Sequence, residues 1–464
     1  MMTALRFPTR RLISADRRLI TAIIALFLGD LLPAGSAPLT LETTQTVLDG
    51  AVVTVPPGAV IRLAPGERTG LLLANLHGSA DQPIIIINHG GQVRIGNTAD
   101  AAALRIRDCT HLQVRGDGDP QHPYGIEVFR ADGGQGVQIS GRSSDFELCH
   151  LEIHHAHYAG IMSKSDPTCS GDLNRGRFTQ RNVHIHHTYV HDVGGEGLYL
   201  GSSFYTGTSS PSCPGVVLYP HDIVGLRVHD VCTERTGREG IQVGCAVEAC
   251  DIYRNQIRDA GIRGLEHQNS GLQINPGTTG RVFGNVIVGA PGNGITLTGI
   301  GDNTVFNNVV ARVGGHGIFC DNRNRADEPS IGTRRGSFMV VVHNTLVHLG
   351  GFGFRSYNEY GPHFVHNNLV VDAASGLLHT PGVTLTASHN LLVPVVAEAG
   401  FVDPAHDDYR IQDTSPARHA GGDLGERTVP VDAGGLLRPL RGACDVGAHE
   451  AGPPLGQGSP PVLR

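Results

Sequence analysis

The sequence predicts an all-β solenoid, a chain wound into stacked coils whose strands pair in parallel from one coil to the next. Three observations carry this: a composition hostile to helices, a glycine-led strand motif that recurs at a fixed period, and an asparagine marker in the same register. Of the 464 residues, 63 are Gly and 27 are Pro, Trp is absent and only 17% are charged. Glycine and proline both work against helices. A hydrophobic content of 40% is still enough to bury a long core, which sets aside disorder and a collagen-like chain.

The glycine motif reads Gly160-Ile161, Gly197-Leu198-Tyr199-Leu200, Gly240-Ile241-Gln242-Val243, Gly271-Leu272-Gln273-Ile274, Gly294-Ile295-Thr296-Leu297, Gly317-Ile318, Gly353-Phe354 and Gly376-Leu377, at gaps of 37, 43, 31, 23, 23, 36 and 23 residues. Asn285, Asn308, Asn344, Asn367 and Asn390 follow at gaps of 23, 36, 23 and 23. Two markers in one register signal a repeat architecture with a base period of 23. Short strands cannot bury a face alone, so the units must stack; inward Ile, Leu and Val then build the core, and the turn asparagines, tolerant of left-handed backbone, bond to their equivalents above and below.

On these residues, together with Pro56-Pro57-Gly58-Ala59-Val60-Ile61-Arg62-Leu63-Ala64-Pro65-Gly66 and Pro83-Ile84-Ile85-Ile86-Ile87, the chain resembles the right-handed parallel β-helix proteins of the pectate-lyase-like type over about residues 50–398. The resemblance implies a right-handed parallel β-helix and a secreted protein. It does not single out one activity, because the family holds lyases, hydrolases, epimerases and non-catalytic surface proteins. Asp408-Tyr409-Arg410-Ile411-Gln412, Ser415-Pro416-Ala417, Gly434, Arg438 and Asp445-Val446-Gly447-Ala448-His449-Glu450 are similar to the DYRLQ…SPA…DIGAYE tail that follows bacterial β-helix domains. Such a tail is expected to cap the last coil and cover its strand edges. The expected organisation is a signal peptide (1–37), a cap with the first coils (38–100), the repeats (101–398), a capping segment (399–450) and a flexible tail (451–464).

The signal peptide is read from Arg6, Arg10, Arg11, Arg17 and Arg18, an apolar run over 19–32 broken by Asp30, and the small residues Ala34-Gly35-Ser36-Ala37. The run is too short for a spanning helix, so a secreted, periplasmic or cell-surface location without a stable transmembrane segment is expected. Its loss removes five Arg and two Asp, a net of three positive charges, and moves the formal charge from −7 to about −10. Nucleic acid and anionic membranes need a basic footprint that is missing here. A monomer is expected. Nine cysteines in an exported chain imply some disulfides; Cys169 with Cys213, and Cys245 with Cys250, are the candidate pairs, and zinc-cluster CxxC spacing is absent.

Stacking turns equal offsets from the repeat glycine into neighbours. Glu196 and Glu239 then face each other about 4.8 Å apart, with Arg238 as the partner that lets two carboxylates coexist. Strand parity by itself would turn Glu196 inward, so the pair requires a turn at that position. Tyr199, Gln242, Gln273 and Asn275 form an outward strip of the kind that binds sugars, with Lys164, the chain's one lysine, a coil earlier. The insertions 165–182, 202–221 and 322–337 would wall a groove lined by Arg175, Arg177, Arg181, Arg323, Arg325, Arg334 and Arg335, a local patch for a polyanion. His267 is a candidate base. The columns His150/His187/Asp230 and His154/His191/Glu234 have the makings of a transition-metal site. Tyr219-Pro220-His221-Asp222 is similar to the DPHD signature of mannuronan epimerases, but Tyr219 stands where that family has its catalytic aspartate, which argues against epimerisation.

These residues point to an exported enzyme on an acidic polysaccharide, with a lyase favoured. Arginines, or a calcium ion held by Glu196 and Glu239, would neutralise the substrate carboxylate, Lys164 or His267 would take the proton, and Tyr199 would protonate the leaving oxygen. Two other readings stay open: a glycoside hydrolase using Glu196 and Glu239 as its acid/base pair, and a non-catalytic exported glycan-binding or envelope protein.

Overall fold

The computed structural model describes residues 39–99, 101–321, 338–359, 361–439 and 443–452. Period-two alternation gives each short strand one apolar face; in Val137–Ser140 and Leu151–His154 burial switches residue by residue. Strands of three to six residues cannot bury that face within one coil. The chain solves this by winding, with each strand paired in parallel to its equivalent one coil on. Three long sheets result. Sheet I has 13 strands, from Leu39–Leu41 to Leu385–Ser388; sheet II has 12, from Gly66–Arg68 to Leu391–Val393; sheet III has 12, from Val47–Asp49 to Gly376–His379. The fold is the expected all-β parallel β-helix, and the first described strand is Leu39–Leu41. Inward side chains of all three sheets form one continuous core from Leu41 to Val370.

At the corner between sheets I and II runs the asparagine ladder. The Nδ2 of Asn255, Asn285, Asn308 and Asn344 each donates at 2.9 Å to the Oδ1 of the next member, ending on Asn368, which donates to Asn390 at 2.8 Å. The register slips by one residue against the sequence reading: Asn368 is the ladder member, not Asn367. The left-handed residue is also the one before each ladder asparagine: Arg254, Asn307, His343, Asn367 and His389 all have φ between 52° and 55°. Asn367 turns its amide outward to the Gly422 carbonyl instead.

The C-terminal segment packs along the side of the helix. Phe401, Tyr409, Ile411, Ala417, Val446 and Ala448 lie along the outer face of sheet II, against Val309, Val347, Leu369 and Val371. Val429 and Leu424 cover Val340 and Val342 on sheet I. Arg438 pins the wrap: its buried guanidinium pairs with Glu450 and donates to Asn307 Oδ1 at 3.1 Å and to the Gly447 carbonyl at 2.9 Å. Among the described residues, no strand of this segment pairs with the last strand of any long sheet.

Cys169 and Cys213 form a disulfide that ties the first two insertions together. Cys245 and Cys250 are both free. Cys250 packs in the main core, whereas Cys245 belongs to a separate cluster with Tyr205 and Ile300, so the two face different interiors. The leader 1–37, the insertion 322–337 with its four arginines, and the tail beyond 452 lie outside the described residues.

Two outcomes test this architecture. Asn308→Ala leaves buried donors of Asn285 without their acceptor and should lower stability by about 1–3 kcal/mol in urea unfolding. Non-reducing peptide mapping should recover a Cys169–Cys213 linkage and alkylated Cys245 and Cys250; a Cys245–Cys250 peptide would contradict the structure.

Candidate functional site

The repeat glycine sets the site. A Cβ on Gly197 would lie 2.4 Å from the Gly240 carbonyl oxygen and 2.8 Å from Thr233 Cγ2, so only glycine fits there, pressed inward against sheet II. Leu198, the next residue, is also inward. Two consecutive inward positions break the strand parity, and the residue before the glycine therefore emerges on the outer face of sheet III, beside the position two after it. Ala159 touches Met162 and Tyr199 there, and Ser270 hydrogen-bonds Thr296 at 2.8 Å. The turn required for Glu196 is thus present.

Glu196 and Glu239 occupy this column on successive coils, joined by the bond from the Gly197 amide to the Glu239 carbonyl. Both are shut from solvent, at 1% and 0% exposure. Arg238 donates from Nη1 to Glu196 Oε1 at 3.3 Å and to the Tyr158 hydroxyl at 3.0 Å, with its guanidinium 4.9 Å from that ring. Tyr158 and Arg238 share the column two before the glycine, and Gly195 between them leaves the guanidinium a path. Neither Glu239 oxygen has a hydrogen-bond partner, nor has Glu196 Oε2. Burial, reinforced by Glu196, pushes the Glu239 carboxyl up to about 8. At neutral pH Glu239 therefore keeps its proton.

Lys164 lies at the edge of the same cluster, 5.2 Å over the Tyr199 ring and 2.8 Å from Asp166. Burial alone would depress its amine, but Tyr199, Asp166 and Glu196 outweigh it and hold the pKa above the ordinary lysine range. The Tyr158 hydroxyl is pushed up to about 12, first by burial and then by Glu196. Lys164, Tyr199, Glu196, Arg238, Tyr158 and Glu239 are thus one electrostatically connected group.

The amide strip is in register, with Tyr199 opposite Gln242 and Gln242 opposite Gln273. It is not an open sugar platform, however. Tyr199, Gln242, Gln273 and Asn275 are all buried. Ser203, from the second insertion, draws them in: its hydroxyl lies 3.2 Å from the Tyr199 hydroxyl and receives bonds of 3.0 Å from both Gln242 and Asn275. Gln273 donates to Asn275 at 3.1 Å. The insertion is a roof over these coils rather than a wall beside them. Ser203 and Tyr158 are the members that the sequence reading missed. Ser203 lies outside the repeat register and left no periodic signal, whereas Tyr158 was findable as the column partner of Arg238.

Other expectations fall away from this cluster. His267 sits on a loop with its side chain 67% exposed, and its ion-pair partner is Glu266 at 3.5 Å. Arg175 lines no groove: its buried guanidinium pairs with Asp222 at 3.0 Å and stacks 3.9 Å from Tyr205, pinning the insertions. Arg177 and Arg181 are exposed. His221 in the Tyr219–Asp222 stretch is buried, accepting from the Ser165 amide at 3.2 Å through Nε2 and donating to the Asp222 carbonyl through Nδ1. That stretch is an internal brace.

Glu239 gives a signed pH effect. Between its ordinary value of 4.5 and about 8, the folded chain keeps a proton that the unfolded chain releases, so stability falls as pH rises through that window and levels off above it. Glu239→Gln removes this loss. Thermal melts should match wild type near pH 4 and show a higher midpoint for the variant at pH 9; equal midpoints at both pH values would mean Glu239 ionises normally.

The family model described as "Right handed beta helix region" matches residues 180–392. No curated protein matches the chain. Among solved structures, the chain is similar to pectate lyase Pel9A, at 14% identity over 86% of this chain and 89% of that one, with a TM-score of 0.44. It is similar also to the GH136 lacto-N-biosidase from Eubacterium ramulus, at 15% identity over 73% and 63% of the two chains, with a TM-score of 0.43. A third is the alginate lyase from Paenibacillus sp. str. FPU-7, at 16% identity over 75% and 98%, with a TM-score of 0.38. The fold is a right-handed parallel β-helix.

Proposed function

We propose that the protein is an exported enzyme that cleaves an acidic polysaccharide by β-elimination at the Lys164–Tyr199–Arg238 edge of the roofed cluster. The carrying observation is that two cations and two tyrosines share one strip of outer face, whereas Glu239 beneath them keeps its proton at neutral pH. A site with that balance favours a substrate carboxylate and the enolate-like charge that builds when its neighbouring proton leaves. Export is supported by the Cys169–Cys213 disulfide, since such bonds persist in oxidising compartments.

In this reading Arg238, already oriented by Glu196 and Tyr158, meets the substrate carboxylate. The Lys164 amine takes the C5 proton, the C4–O bond breaks as the C4–C5 double bond forms, and the Tyr199 hydroxyl protonates the departing oxygen. Glu196 and Glu239 are too buried to touch a sugar and act as positioning residues. Calcium does not fit them: it takes six to eight oxygens, and here a guanidinium occupies one side of a two-carboxyl pair. Because the Lys164 pKa is raised, the free amine becomes abundant only under alkaline conditions, and the rate should climb with pH across the neutral range.

A hydrolase is the second reading, favoured by one feature: a carboxyl held neutral to about 8 beside another carboxyl resembles a general acid with its partner. A panel of polyuronates and sulfated glycans, with and without a chelator, separates the two. Elimination gives an unsaturated, ultraviolet-absorbing product, unchanged by the chelator, and Lys164→Met should lower its rate by about a hundredfold or more. New reducing ends without that absorbance would favour the hydrolase, and adsorption without any product would make the chain a binder.

A further inference from the structure

A second chemical centre lies on the outer face of sheet I, at the corner it shares with sheet II. Strand register sets Glu147 beside His184 and His186 beside His229. His186 Nε2 is 3.3 Å from Glu147 Oε1, and His184 Nε2 is 2.8 Å from His229 Nε2. One ligand atom from each of Glu147, His184 and His186 can be chosen so that all lie within 4.8 Å of one another. All four side chains are partly exposed, so an ion can reach them.

Stacking alone does not account for these residues. Further down the column of His186 and His229 the same positions hold Tyr253, Phe283 and Phe306, ring on ring at 4.7 to 4.9 Å. Flat rings without ligand atoms therefore satisfy the stack, and the change to histidine coincides with the coils where Glu147 and His184 stand alongside. Proton placement points the same way. Asp230, 2.6 Å from His229 Nδ1, fixes the proton there and leaves the Nε2 lone pair facing His184. His186 sets its Nε2 against Glu147 at 3.3 Å, with His187 at 2.7 Å from its Nδ1. A neighbouring residue on the far nitrogen is how proteins orient metal-binding imidazoles.

We propose that Glu147, His184, His186 and His229 bind a divalent transition-metal ion of the zinc class. Imidazoles with a single carboxylate suit zinc, nickel, copper and cobalt, whereas calcium and magnesium take oxygen ligands. The two nitrogens, 2.8 Å apart, need open only to about 3.4 Å to sit on one tetrahedral ion with metal–nitrogen bonds of about 2.1 Å. The adjacent group of Glu152, His154 and His191 is less suited. It offers two imidazoles to its one carboxylate, against three imidazoles here.

The test uses the full exported chain, stripped of metal and titrated with Zn2+ by calorimetry and with Co2+ by visible absorption. Wild type should bind one equivalent at this cluster and give a ligand-field band with cobalt. His184→Gln/His229→Gln should lose the band and weaken zinc by at least about tenfold, and His186→Gln alone should weaken it too, with circular dichroism unchanged in each. His191→Gln, in the adjacent group, should bind as wild type. Wild-type affinity in the folded double variant, or loss of binding in His191→Gln instead, overturns the proposal.

Discussion

Every feature of this molecule depends on parallel pairing between successive coils. Each strand's backbone groups find their partners one coil above and one below, so a coil is incomplete without its neighbours. The same constraint fixes which side chains meet. Residues far apart in sequence share a column because their backbones are bonded in register, as Tyr199 is to Gln242 and Gln242 to Gln273. The glycine column and the asparagine ladder hold that register from two sides. Glycine lets sheet III press against sheet II, and the ladder saturates the buried corner where the chain turns from sheet I to sheet II.

What the sequence disclosed follows from this. Columns are legible wherever the period holds, and for that reason the sequence alone sets Glu196 beside Glu239. The errors fall where periodicity stops being informative. Asn367 and Asn368 are adjacent and chemically identical, so only the side-chain bonds choose between them. Ser203 belongs to an insertion, whose position relative to the coils no repeat determines. The burial of Gln242, Gln273 and Asn275 could not be anticipated, because it is imposed by that insertion. The tail's path along sheet II was hidden for a related reason: outward Val309, Val347, Leu369 and Val371 read as ordinary strand residues until a partner is laid on them.

The buried carboxyl pair is a departure from stability optimisation. A carboxyl at zero exposure with both oxygens unbonded is destabilising at neutral pH, and an apolar residue such as Ala159, which fills the same column one coil earlier, would avoid the penalty. Ala159 makes ordinary contacts with Met162 and Tyr199. The fold therefore does not require an acid at this position. What the acids add is an anchor for Arg238, whose guanidinium bonds Glu196 and the Tyr158 hydroxyl.

The sheet I–sheet II corner is put to two different uses along its length. On the later coils it is covered: Asn307 and Asn367 hydrogen-bond the C-terminal segment, and Arg438 locks that segment down. On the earlier coils the equivalent corner positions are His150, His187 and Asp230, and the segment does not reach them among the described contacts. A corner that needs only a left-handed residue accepts many types, as Arg254 and Gly284 demonstrate in between. Histidine and aspartate there, orienting the rings of the adjoining strand, are thus a choice the backbone leaves free, and it falls on the coils the tail leaves open to solvent.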